Sequence, residues 1–224
     1  APGANQWTFD SLSGKFQFQK NPYSDASFFF IQFGEKNGLR IGDKEVLGSP
    51  AQLVESFTEH IRYEKEEINF LNSGREWYGE SFGNGFPSSR NFLVTSSGAV
   101  AQTPFEFTSE VVGRSFGNPN RISVSLNGQT LFQHSTSPAI GTLLEPIASV
   151  SQLSTTGFVI GNAMELRYDF SGTNSSAQGW LNWFQFIYRK KLDQQGAGFI
   201  SFRDPLSVEK NKIITYLIQS ATSN

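Results

Sequence analysis

Apolar and polar residues alternate over short distances along most of the chain. In residues 57–64, FTEHIRYE, an extended backbone puts Phe57, Ile61 and Tyr63 on one face and Thr58, His60, Arg62 and Glu64 on the other. One face is predicted to meet a core and the other water. Phe105, Phe107 and Val111 alternate with Glu106, Thr108 and Glu110 in the same way. Residues 122–126, ISVSL, run into Asn127-Gly128 and out through Thr130, Leu131 and Phe132. Asn-Gly supplies the two positive-φ positions of a type I′ turn, so this is the clearest hairpin in the sequence.

Two stretches are apolar on both faces: residues 26–33, ASFFFIQF, and residues 180–188, WLNWFQFIY. Such strands are expected centrally in a sandwich or beneath another module. In the second, strict alternation sets Trp180, Asn182, Phe184, Phe186 and Tyr188 against Leu181, Trp183, Gln185 and Ile187. Further strands are expected near 15–19, 158–160, 164–170, 198–203 and 212–218. The one helical suspicion is residues 49–54, SPAQLV, with Ser49 as cap and Pro50 at the first helical position. No repeat period or low-complexity linker is visible. Roughly ten to thirteen short strands predict an all-β fold, a Greek-key or jelly-roll β-sandwich preceded by a smaller β unit.

Composition narrows the chemistry. The chain has 224 residues, 17% of them charged, with a formal net charge of −2, which gives no ground for nucleic acid as a partner. No apolar run approaches the roughly 18 residues that span a bilayer, and residues 1–10, APGANQWTFD, do not read as a signal peptide. Cysteine is absent, so thiol nucleophiles, thiolate metal sites and disulfides are excluded within these residues. The two histidines, His60 and His134, lie far apart and give no metal-binding spacing; a solvated strand-face imidazole is expected for each. No cofactor is predicted. A structural calcium ion suits a jelly roll, but no D-x-D-x-D-G run exists to assign ligands. Residues 188–191, YRKK, read as a solvated basic strand edge that discourages strand addition.

Residues 79–83, GESFG, match the G-x-S-x-G pattern of serine hydrolases. A nucleophile elbow needs an apolar strand before it and a helix after it, whereas both flanks here are rich in Gly, Asn, Ser and Pro. The pattern recurs at 113–117, GRSFG, and only His134 could serve a triad downstream. The residues Arg75, Glu76, Trp77 and Tyr78 just before it form a compact charged and aromatic cluster. Such a cluster serves to dock a rigid turn on a sheet, with a ligand-binding aromatic loop as the rival reading.

Four stretches in order carry a resemblance: NPYSD at 21–25; YEKE at 63–66 leading to SGREWYGESF at 73–82; GWLNWF at 179–184 running to YRKKL at 188–192; and FRD at 202–204. Together they resemble the region upstream of the catalytic domain in the PorU-type sortases, gingipain-type cysteine peptidases of the Bacteroidetes type IX secretion system. The resemblance spans about residues 7–220. It implies a non-catalytic module, since the family's cysteine and histidine belong to a domain that follows this region. It also implies a cell-surface, outer-membrane location facing outward, with that downstream catalytic domain as partner, and other secretion subunits or cargo besides. The expected division is an N-terminal β unit at 1–68, a jelly-roll-like sandwich at 69–205, and a strand at 206–224 leading to the catalytic domain. Arg75, Trp77, Tyr78, Trp180 and Trp183 are the candidate ligand- or partner-binding residues. The alternative is a carbohydrate-binding jelly roll, in which these aromatic rings stack on sugars. A core position is the commoner fate for Trp180 and Trp183, so burial discriminates the two readings.

Overall fold

The computed structural model describes residues 5–21, 26, 30–34, 38, 42, 48–70, 76–95, 97–139, 146–195, 199–208 and 212–221. The strands are β1 (Gln6–Asp10), β2 (Lys15–Gln19), β3 (Gln52–Val54), β4 (Ser56–Glu64), β5 (Ser81–Phe82), β6 (Ser89–Thr95) and β7 (Pro104–Arg114). They continue as β8 (Asn120–Leu126), β9 (Gln129–Thr136), β10 (Ser149–Phe158), β11 (Met164–Ser171), β12 (Gln178–Lys191) and β13 (Ile214–Tyr216). Among the described residues the only helical element is a 3-10 turn at Pro205–Ser207, and no helix is long and apolar enough to cross a membrane. The protein is all-β.

The chain divides into two compact units, Ala1–Val54 with Pro205–Thr215, and Glu55–Asp204 with Tyr216–Asn224. In the first, β1 and β2 form an antiparallel hairpin with edge-on ring pairs, Trp7 on Phe18 at 5.3 Å and Phe9 on Phe16 at 5.2 Å. The Asp10 carboxylate organises its turn, accepting from Ser13 Oγ at 2.6 Å and Leu12 N at 3.0 Å. Residues 49–54 do not open a helix: β3 pairs with β13, and Ala51 N donates to Ile213 O at 2.9 Å. A single helical turn is a costly nucleus, and a strand partner outbids it. The segment at 26–33 shows no central strand among its described residues either. Residues 27–29 lie outside the described residues, while Phe30, Ile31 and Phe33 carry no strand and are 102%, 81% and 95% exposed.

The second unit is a sandwich of two antiparallel sheets. One has the order β10-β7-β12-β4 with β5 beside β12, and the other β6-β11-β8-β9. Successive strands cross from one sheet to the other except at the β4–β5 and β8–β9 steps, a crossing pattern of Greek-key type. This sheet takes in β4, whose residues fall within the 1–68 unit expected from sequence. Between the sheets, Phe107, Val111, Leu181, Phe184 and Phe186 meet Ile122, Val124, Met164, Leu166 and Tyr168. The Tyr168 hydroxyl, fully buried, donates to Ser109 Oγ of the opposite sheet at 2.9 Å. That bond offsets a desolvation that would otherwise cost a few kcal/mol, roughly. Burial holds the Tyr168 phenol far above its usual range.

The hairpin at Asn127-Gly128 forms with φ of 48° and 82°, closing β8 onto β9 with Leu126 opposite Gln129. Gly113 on β7 is required by a close approach: a Cβ there would lie 2.0 Å from Thr136 Oγ1. Strict alternation fails in β12. A bulge between Leu181 and Trp183 shifts the register, so Leu181 shares the core face with Phe184, Phe186 and Tyr188 while Trp180 faces outward. The basic run at its end is no edge. β12 lies between β7 and β4, with Arg189 opposite Thr58 and Lys190 opposite Phe57. Residues 199–203, expected as a strand, carry none; Phe202 instead packs between Phe57 at 5.6 Å and Tyr216 at 5.3 Å.

Candidate functional site

The segment that follows β4 folds across the outer face of the sheet containing β12. Ile68 and Tyr78 exchange backbone bonds at 2.9 and 2.8 Å, and Gly79 N donates to Leu181 O at 2.8 Å. Leu181 N in turn donates to Glu80 O at 3.0 Å, which stitches the Gly79-Glu80 pair onto β12. Phe70 then packs tilted on Tyr78 and edge-on against Trp180, with ring centres 4.8 Å and 4.5 Å apart respectively. Val112 completes this second apolar cluster. Tyr78 and Trp180 are therefore buried, and neither offers a ring face to a ligand.

Trp183 lies further along the same face, half-buried, with the Arg62 guanidinium 4.1 Å above its ring. Arg62 is itself held by Glu64, Nε to Oε2 at 2.8 Å. A cation over the indole occupies the surface a sugar would need. Beside it, Asn182 Nδ2 donates to Glu110 Oε1 at 2.6 Å. Trp77 is the exposed member of the set at 42%, and Arg75 lies outside the described residues. The structure thus brings Tyr78 and Trp180 together in one cluster, and separates Trp183 and Trp77 from it.

Neither G-x-S-x-G copy is an active site. Ser81 is buried in β5, opposite Trp180, and its carbonyl accepts from the Arg90 guanidinium at 3.3 Å. Ser115 is buried too, donating to Asn118 O at 2.5 Å. His134 is remote from Ser81 in function: its Nδ1 lies 3.0 Å from Ser151 Oγ and its Nε2 is buried without a hydrogen-bond partner. Desolvation lowers its pKa to about 4, so it is a neutral core imidazole and not a solvated one. His60 is half-buried on the outer face, and burial lowers its pKa also.

Two polar contacts join residues that are distant in sequence. The Tyr63 hydroxyl donates to the buried Glu80 carboxylate, with Lys65 Nζ 3.9 Å from the same oxygen. Burial first, and then Glu80, hold the Tyr63 phenol well above its usual range. Arg189 donates to Asp204 Oδ1 at 2.5 Å, to Thr58 Oγ1 at 3.0 Å and to the Ser56 carbonyl. Asp204 is almost wholly buried, so this is a structural clamp and not a free cation. Among the described residues, no three His, Asp or Glu side chains converge as a metal ion requires.

One cleft of about 390 Å³ opens at the clamp end of the sandwich, lined by Phe57, Glu59, Gly98, Lys190, Lys191, Gln195, Phe199 and their neighbours. Its residues come from four separate stretches, of which only Lys190 and Lys191, in the basic run at 188–191, stand out in the sequence.

Fold and contacts together define the class: an antiparallel, jelly-roll-like β-sandwich module whose most distinctive sequence stretches serve its own architecture. Among solved structures, dimeric latent PorU from Porphyromonas gingivalis is similar over 98% of this chain, with a TM-score of 0.67 and 18% identity. The chain spans 21% of that protein's length. Lower similarities include the CBM36-1 domain of a multidomain xylanase from the hindgut metagenome of Trinervitermes trinervoides, with a TM-score of 0.36 and 11% identity over 58% of this chain and 95% of that one. CBM35 from Cellvibrio japonicus Abf62 has a TM-score of 0.37 and 9% identity over 59% and 97%. Overlaps at that level say nothing about what this chain binds. No family model matches the chain, and no curated protein is significantly similar to it.

Proposed function

We propose that the chain is a non-catalytic β-sandwich module of a cell-surface type IX secretion sortase, a gingipain-like cysteine peptidase, in which it positions the catalytic domain and contacts secretion partners or cargo. The observation that carries this reading is the shared fold with PorU over nearly the whole chain. Two further facts support it. The chain contains no cysteine, so it holds no nucleophile for the peptidase chemistry. The stretches that carry the sequence resemblance also meet in space: the YEKE stretch reaches the GREWYGESF stretch through Tyr63 and Glu80, and the YRKKL stretch reaches FRD through Arg189 and Asp204. Contacts of this kind hold a scaffold rigid, which is what a positioning module needs.

The test is an in-frame deletion of this region from the parent gene in the source cells. Cargo proteins are expected to accumulate with their C-terminal sorting signals uncut and to be lost from the surface. Processing and attachment at the normal level would overturn the positioning role.

The second reading, a carbohydrate-binding module, loses Tyr78 and Trp180 to burial and the Trp183 ring face to Arg62, while Trp77 stays exposed. The specific observation that favours it is the cleft beside Phe199.

A further inference from the structure

We propose that the cleft bounded by Phe57, Glu59, Lys190, Gln195, Phe199 and Ser201 binds a neutral saccharide. The inference deepens the second reading above and is independent of the first. Its volume, about 390 Å³, lies within the roughly 300–1,000 Å³ usual for small-ligand sites. Phe57 forms a rigid apolar floor, buried and backed by Phe202 at 5.6 Å. Phe199 on the rim is 81% exposed, leaving an aromatic surface in water beside a concave site. Aromatic rings in that setting take the C–H face of a flat, polar-edged ring.

Charge and hydrogen bonding narrow the class. The lining carries two carboxylates, Glu59 and Asp193, and two ammonium groups, Lys190 and Lys191, so it balances to neutral. Lys190 Nζ already lies 3.1 Å from Glu59 Oε2. An ionic ligand would gain little there, whereas a neutral one bearing hydroxyls finds donor and acceptor side by side. Three backbone donors beside the site are committed elsewhere. Lys191 N donates to Gly98 O at 2.8 Å, Gln194 N to Gln219 O at 3.0 Å, and Gln195 N to Asp193 Oδ1 at 3.1 Å. Along residues 191–195 an extended peptide, which is recognised chiefly through main-chain bonds, therefore finds these three donors already taken. Recognition falls to side chains: the Glu59 carboxylate, the Lys190 ammonium, the Ser201 hydroxyl, and a Gln195 amide steadied by Ser97 Oγ at 3.2 Å. An exposed ring with a mixed set of side-chain donors and acceptors matches a pyranose better than a peptide.

The experiment is an NMR titration of the whole 224-residue chain with cellohexaose, xylohexaose, laminarihexaose, mannohexaose and chitohexaose, each to millimolar concentration. At least one is expected to shift the backbone amides of Gln195 and Ser201 saturably. Phe199→Ala, at an exposed position that the fold does not need, is expected to weaken that binding about tenfold. Gln195→Ala should weaken it as well. Shifts by no probe at these residues would overturn the proposal, and so would an affinity that Phe199→Ala leaves unchanged. A peptide that saturates the same amides where every sugar fails would overturn it too. None of these outcomes bears on cargo processing, so failure here and failure of the positioning role are read separately.

Discussion

His134 has no solvent exposure, and its Nε2 faces a core that offers no acceptor. With its pKa lowered to about 4, it folds neutral, whereas the unfolded chain binds a proton near the ordinary value of 6.5. The unfolded state therefore holds more protons between those limits, and stability falls as the pH falls through that window. The loss approaches about 3 kcal/mol below pH 4, a shift of this size being worth that much. Half-buried His60 adds to it in the same direction. Urea unfolding followed from pH 7 downward should show this slope, and His134→Gln should flatten it whatever its effect at neutral pH. An unchanged slope in the variant would place the proton uptake elsewhere. The sequence carried no sign of this burial, because the polar alternation of β9 reads as a solvated face. The edge strands β9 and β10 approach closely enough there for His134 to meet Ser151, and that proximity is a property of the sandwich, not of the strand.

At the scale of elements, the clamp built on Arg189 ties β12 to β4 and to the segment ending at Asp204. Removing one partner strands a buried charge, so Arg189→Ala should cost about 3–5 kcal/mol. The double variant with Asp204→Ala should cost less than the sum of the singles, and a double-mutant cycle by chemical denaturation checks it. Additive losses would mean that the two side chains act independently. Elements with strong local chemistry were legible in advance. The Asn127-Gly128 hairpin, the alternating faces of β4 and β7, and β2 and β11 all stand where their patterns put them. β10 was missed: its exposed face carries Gln152, Ser154 and Thr156, and its inner positions are mostly small or polar, so apolar contrast is weak. In β12 one bulge residue reversed the phase of everything before it, which no period-2 reading can anticipate. Of the cluster expected at 75–78 to dock a turn, Tyr78 packs on the sheet while Trp77 is exposed and Arg75 lies outside the described residues, and the burial of Trp180 beside it depended on that same bulge. The cleft was invisible because the fold alone brings Glu59, Gly98, Lys190 and Phe199 to one rim.

For the whole molecule, the fold is shared with a region that occupies 21% of PorU, and the proposed function makes this chain one module of a larger surface protein. The scaffold contacts, the missing cysteine and the order of the resembling stretches all bear on that claim indirectly. Its direct test is the size and location of the native polypeptide, read by blotting fractionated source cells with an antibody raised against these 224 residues. A band several times larger than 24.9 kDa in the outer-membrane fraction is expected. A band near 24.9 kDa, free in the medium or the periplasm, would contradict it and leave an independent sandwich.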